Sequence, residues 1–138
     1  MCLIPVVLLG YLLTLHPNMS HVTSLDAAVV QAQTCERGPG IDIKFTSDGL
    51  GAVAAQYGFH QEHGLWSWTF SPKVGGAALP YSVPELSTQY NFSLGAQAMI
   101  GYDQGRLSLE YWHMSNAGLG STNAGLDLLS VTTGIVLY

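Results

Sequence analysis

From Ile41 onward, hydrophobic residues alternate with polar or small ones, and Gly, Pro, Asn and Asp punctuate the runs. The clearest stretch is Thr88 to Tyr102. Its even positions are Tyr90, Phe92, Leu94, Ala96, Ala98, Ile100 and Tyr102, and its odd positions are Gln89, Asn91, Ser93, Gly95, Gln97, Met99 and Gly101. Successive side chains of a strand point to opposite faces. The segment therefore predicts a strand with one wholly apolar face, tyrosine towards both ends of it, and one polar or small face. Amphipathic rings at both ends of an apolar band are the mark of a strand that crosses a bilayer.

The same parity organises the neighbouring segments. After the turn Asp103-Gln104-Gly105, Leu107, Leu109, Tyr111, His113 and Ser115 share one face, and Ser108, Glu110, Trp112 and Met114 the other. In the last predicted strand Asp127, Leu129, Val131, Thr133, Ile135 and Leu137 oppose Leu128, Ser130, Thr132, Gly134, Val136 and Tyr138. Earlier candidates are 41–46, 53–61 and 65–74, the last with Trp66, Trp68 and Phe70 on one face. This gives about six strands, whereas bacterial membrane barrels have even numbers from about eight upward. Residues 75–83 and 20–36 are where further strands would have to come from. The fold class predicted is all-β: an antiparallel up-and-down transmembrane β-barrel, eight-stranded or shortened.

Parity alone leaves open which face is inside. A small soluble β-domain with an apolar interior would alternate in the same way. Composition shifts the balance. Only 9 % of residues are charged and 48 % are hydrophobic, against about 25 % charged in an average soluble protein. No apolar run reaches the roughly 20 residues of a spanning helix. A charge-poor surface over alternating strands favours lipid outside.

The net charge is −5 with four Lys and Arg, and no basic cluster suggests a nucleic-acid partner. The apolar run from Cys2 to Leu15 resembles the core of a secretory signal, with small residues up to Ala32. Residues 1–32 are therefore expected to be a leader, 33–40 a linker and 41–138 the barrel. Loss of Cys2 with the leader would leave Cys35 alone, so no intrachain disulfide is expected. His60-Gln61-Glu62-His63-Gly64 reads as a hairpin tip rather than a metal site. Glu110, on the presumed interior face, is expected to pair with Lys44 or Arg106.

The segment with chemical content is Tyr111 to Asp127. His113 and Ser115 are two apart, hence neighbours on one face of a strand, and a serine becomes a nucleophile beside a histidine base. Asp127 begins the next strand. In a hairpin it would lie near His113, where a carboxylate fixes the imidazole tautomer. All three fall on the apolar face, where polar groups are costly in lipid. An enzyme that cuts a lipid in place would need them there. The same spacing also fits an interfacial histidine and ordinary turn chemistry.

The string His113-x-Ser115-Asn116-Ala117-Gly118-Leu119, with Asn123-x-Gly125 and an acid at 127, resembles the signature of the lipid A 3-O-deacylase family. The resemblance implies an eight-stranded outer-membrane barrel with a lipid-facing active site. It implies Ser115 as nucleophile, His113 as general base and Asp127 as the group that orients it. Asn116, Asn123 and the Gly118 backbone are implied as oxyanion donors. The implied reaction is hydrolysis of the 3-O-linked acyl chain of lipid A in lipopolysaccharide, without metal or organic cofactor. The family places Glu at the acid position, and here Asp127 is one methylene shorter. That departure keeps open an inactive barrel with a structural or interaction role.

Overall fold

The computed structural model describes residues 3–15, 26–79, 89–116 and 125–138. These residues form eight strands: β1 (Val6–Leu15), β2 (Ala27–Gln33), β3 (Gly38–Thr46), β4 (Gly51–His63), β5 (Trp66–Ala78), β6 (Tyr90–Tyr102), β7 (Gly105–Ser115) and β8 (Leu126–Val136). Each pairs antiparallel with its neighbour, and β1 closes on β8 from Val6↔Val136 to Leu15↔Asp127. The result is a closed up-and-down barrel, which leaves no unpaired edge for lipid to face.

Two of the eight staves lie where the sequence suggested a leader. Residues 6–15 and 27–33 are β1 and β2, so the barrel runs from Val6 to Val136 rather than from 41 to 138. The physical reason is closure. Cutting after Ala32 would remove both partners that join β3 to β8. The apolar run misleads because β1 is greasy on both faces: Val6, Leu8 and Leu12 are buried inside, while Leu9, Tyr11, Leu13 and Leu15 face out. The interval assigned as linker holds the start of β3 at Gly38. Cys35 is also disulfide-bonded, contrary to expectation. Of the interval 75–83, named above as a source of further strands, residues 75–78 are the end of β5 and 80–83 lie outside the described residues.

The apolar face of the strands is the outer one. Tyr90, Phe92, Leu94, Ile100 and Tyr102 of β6 are all exposed, while Asn91, Ser93, Gln97 and Met99 are buried. Thirteen-residue strands such as β4, β5 and β6 rise roughly 30 Å when tilted by about 40°, enough to cross a hydrocarbon core. Aromatic side chains gather at the end of the short connections, where Trp66 stacks edge-on against Tyr102 at 4.9 Å.

The interior is polar at its waist and apolar towards each end. Asp42, Lys44, Lys73 and Glu110 form a buried cluster of two acids and two bases. Glu110 meets Lys44 at 2.6 Å and Lys73 at 2.5 Å. Lys73 lies 3.2 Å from Asp42, which also pairs with Lys44 and accepts a hydrogen bond from Gln31 at 2.7 Å. Buried charges are tolerated only when paired and hydrogen-bonded, and here the four charges cancel. Of the two partners expected for Glu110, Lys44 is one. Arg106 instead grips Glu36 through both carboxylate oxygens, at 2.5 and 2.7 Å. Towards the other end, Leu12, Leu50, Trp112, Met114, Leu126 and Leu128 fill the barrel. They form the floor behind the outward face of β7 and β8.

Candidate active site

Among the described strand residues, Asp127 is the one Asp, Glu, Lys or Arg on the outward face of the sheet. It stands directly across the β7–β8 ladder from His113. Parity alone brings them to the same face. The antiparallel register, set by the strands that bracket the 116–125 connection, makes them opposite partners. His113 Nδ1 lies 2.8 Å from Asp127 Oδ1, and the two side chains are 40 % and 36 % exposed. They are thus open to the surroundings of the barrel rather than to its interior. An ionised carboxylate can only accept, so the contact puts the proton on Nδ1 and leaves Nε2 as the free base of a neutral ring.

Ser115 is the last residue of β7, half-buried, on the same face as His113 and paired across the ladder with Phe92. Asn116 follows it and is buried. Gly118 and Asn123, the other expected oxyanion donors, lie outside the described residues. The structure therefore brings His113 and Asp127 into contact, with Ser115 two residues further along β7 on the same face.

Two further residues shape this site. Gly125 has φ of +79°, and a Cβ added there would lie 2.6 Å from His113 Cε1 and 3.0 Å from Nε2. The chain can pass over the imidazole only because position 125 has no side chain and tolerates left-handed backbone. Gly125 was visible in the sequence motif, but its contact with the ring was not. Tyr111 was read only as an apolar-face residue. Its hydroxyl donates a 2.5 Å hydrogen bond to Asp127 Oδ1. Parity put Tyr111 on the face of His113, two residues before it, but its reach to Asp127 depends on the register of β7 against β8.

The remaining histidine candidates are part of the opposite end. His60 Nδ1 lies 2.7 Å from Thr69 Oγ1, and its Nε2 lies 3.1 Å from Glu62, near the tight turn at Gly64–Leu65. Asn91, which sits in a glycosylation-like triplet, is buried within β6.

No curated protein matches the chain by sequence. Among solved structures, the fold is similar to the crystal structure of the outer membrane enzyme PagL. The TM-score is 0.68 at 14 % identity, covering 95 % of this chain and 98 % of that one. The crystal structure of Neisserial surface protein A is also matched, with a TM-score of 0.47 at 12 % identity over 95 % of this chain and 94 % of that one. The model of the family described as lipid A 3-O-deacylase (PagL) matches residues 26–136, which take in seven of the eight strands and the whole of the site. With that match over most of its length, the chain belongs to the lipid A 3-O-deacylase family, whose fold is an outer-membrane β-barrel.

Proposed function

We propose that this protein is an outer-membrane esterase that hydrolyses the 3-O-linked acyl chain of lipid A through Ser115, His113 and Asp127. The observation that carries the reading is the 2.8 Å contact between His113 and Asp127 on the lipid-facing side of the barrel. A histidine–carboxylate pair on that surface has no packing role, since apolar residues would be cheaper there. It has a chemical role if the ester to be cut lies in the membrane.

The steps follow from the order of the side chains. His113 Nε2 takes the Ser115 hydroxyl proton as Oγ attacks the ester carbonyl. Asp127 holds the ring and balances the imidazolium that forms. Asn116, Asn123 and the Gly118 N–H are the proposed donors to the tetrahedral oxyanion. Collapse of the intermediate breaks the bond to the 3-oxygen of the sugar, and the imidazolium returns its proton to that oxygen. Water, deprotonated by His113, then cleaves the acyl-serine and releases a fatty acid.

The position of the site suits this substrate. The strand ends that bound residues 16–26, 47–50, 79–89 and 116–125 lie at one end of the barrel and those that bound 34–37, 64–65 and 103–104 at the other, so the three long intervals all fall at the end that carries the site. In outer-membrane barrels the long connections face the outside. The site, at the long-loop end, would then meet the outer leaflet at about the depth of lipid ester bonds.

A fluorophosphonate tests the nucleophile directly, because it phosphonylates only an activated serine. The refolded protein is expected to gain the label on the peptide carrying Ser115, and His113→Asn to gain none. Labelling that is absent, or unchanged by His113→Asn, would contradict the assignment.

A further inference from the structure

We propose that Tyr111 is a positioning residue for the reaction, acting through Asp127; this rests on the triad reading above. The Tyr111 hydroxyl and the His113 ring converge on the same carboxylate oxygen, Oδ1, at 2.5 and 2.8 Å. Tyr111 lies on β7 two residues before His113, and its cross-strand partner is Leu129, two residues beyond Asp127. The tyrosine therefore reaches diagonally over the ladder to the acid, a span that a long aromatic side chain can make.

The geometry answers a specific need. A carboxylate one methylene shorter than Glu has fewer rotamers that meet the imidazole. Asp127 is also partly exposed on the outer face, where a bound lipid would displace the water around it. A hydroxyl fixed to Oδ1 does two things that water cannot do under lipid. It restrains the carboxylate in the rotamer that meets Nδ1, and it keeps one charge-assisted hydrogen bond in place when solvent leaves. The hydrogen bond that the structure gives this hydroxyl goes to Asp127, so its effect on the reaction is expected to pass through the acid. The competing role is that of an interfacial aromatic whose ring merely packs at the membrane surface, and it leaves the hydroxyl without consequence.

Tyr111→Phe keeps the ring and removes only the hydroxyl. Deacylation of purified lipopolysaccharide in mixed micelles is measured for the parent, Tyr111→Phe, Asp127→Asn and the double variant, with Ser115→Ala as the blank. Tyr111→Phe is expected to lower kcat about tenfold with KM unchanged, and to cost nothing further in the Asp127→Asn background, followed over longer incubation. A kcat equal to the parent's overturns the proposal. So does an equal loss in both backgrounds, which would mean that the hydroxyl acts independently of Asp127. A parent no faster than the Ser115→Ala blank would overturn the triad reading itself, and this inference with it.

Discussion

Asp127 lies directly opposite His113 in the β7–β8 ladder, and the pair is joined at 2.8 Å. Directly opposed residues in an antiparallel sheet have Cα atoms about 4.5–5.5 Å apart. A short acid can bridge that gap without help from the backbone. The departure from Glu at this position is thus matched to the register of the strands. A residue further along β8 would need the longer side chain.

Asp127→Asn tests the acid. The amide keeps the size of the side chain but can turn its NH2 group towards Nδ1, which selects the wrong tautomer. Deacylation is expected to fall about 10²–10⁴-fold. The barrel should unfold in urea at a concentration close to the parent's, because the site is half-exposed and lies outside the packed interior. A loss of stability large enough to account for the loss of activity would argue against a catalytic role.

Gly125→Ala tests the geometry above the imidazole. The added methyl would lie 2.6 Å from Cε1, at a φ of +79° that alanine adopts only with strain. The ring must move, and a displacement of about 1 Å is worth about 10² in rate. Stability is expected to fall by only about 1–2 kcal/mol. Activity assays beside urea titration separate the two effects.

Glu110→Gln tests the waist of the barrel. It leaves Lys44 and Lys73 buried with Asp42 as their one remaining carboxylate. Breaking a buried ion network by removing one member costs about 3–5 kcal/mol. Equilibrium unfolding of the refolded variant should show that loss, whereas Glu62→Gln, at a 65 % exposed position, should show less than about 1 kcal/mol. Whatever fraction of the Glu110 variant folds should keep the parent's specific activity.

Gly134→Ala tests closure. A Cβ at 134 would lie 1.8 Å from the backbone oxygen of Val7, across the β1–β8 seam. Backbone cannot yield as a side-chain tip can, so the variant is expected to lose at least about 3 kcal/mol or to fail to refold in detergent. Heat-dependent mobility on gels, which distinguishes closed barrels from unfolded chains, gives the readout.

Much of this was legible in alternation. The parity of β6 separated Tyr90, Phe92 and Leu94 from Asn91, Ser93 and Gln97, and the structure places the first set outside and the second inside. The same parity set His113, Ser115 and Asp127 on one face. Strands β1 and β2 were not legible, for two different reasons. In β1 both faces are apolar, because its inner residues Val6, Leu8 and Leu12 meet the two hydrophobic ends of the interior rather than its polar waist. In β2 a short run, Ala27–Gln33, hides its inward face behind small and amide residues. Gln31 looks like surface but hydrogen-bonds Asp42 at the centre of the barrel. The link between Tyr111 and Asp127 needed the register of β7 against β8, which parity does not supply.

The most direct measurement is mass spectrometry of lipid A from cells expressing this protein, beside cells expressing Ser115→Ala, with both barrels verified in the outer membrane. The account predicts that the parent removes one ester-linked 3-hydroxyacyl chain and that Ser115→Ala leaves lipid A at its full mass. Lipid A of unchanged mass in both cultures, or loss of the chain with Ser115→Ala as well, would contradict it.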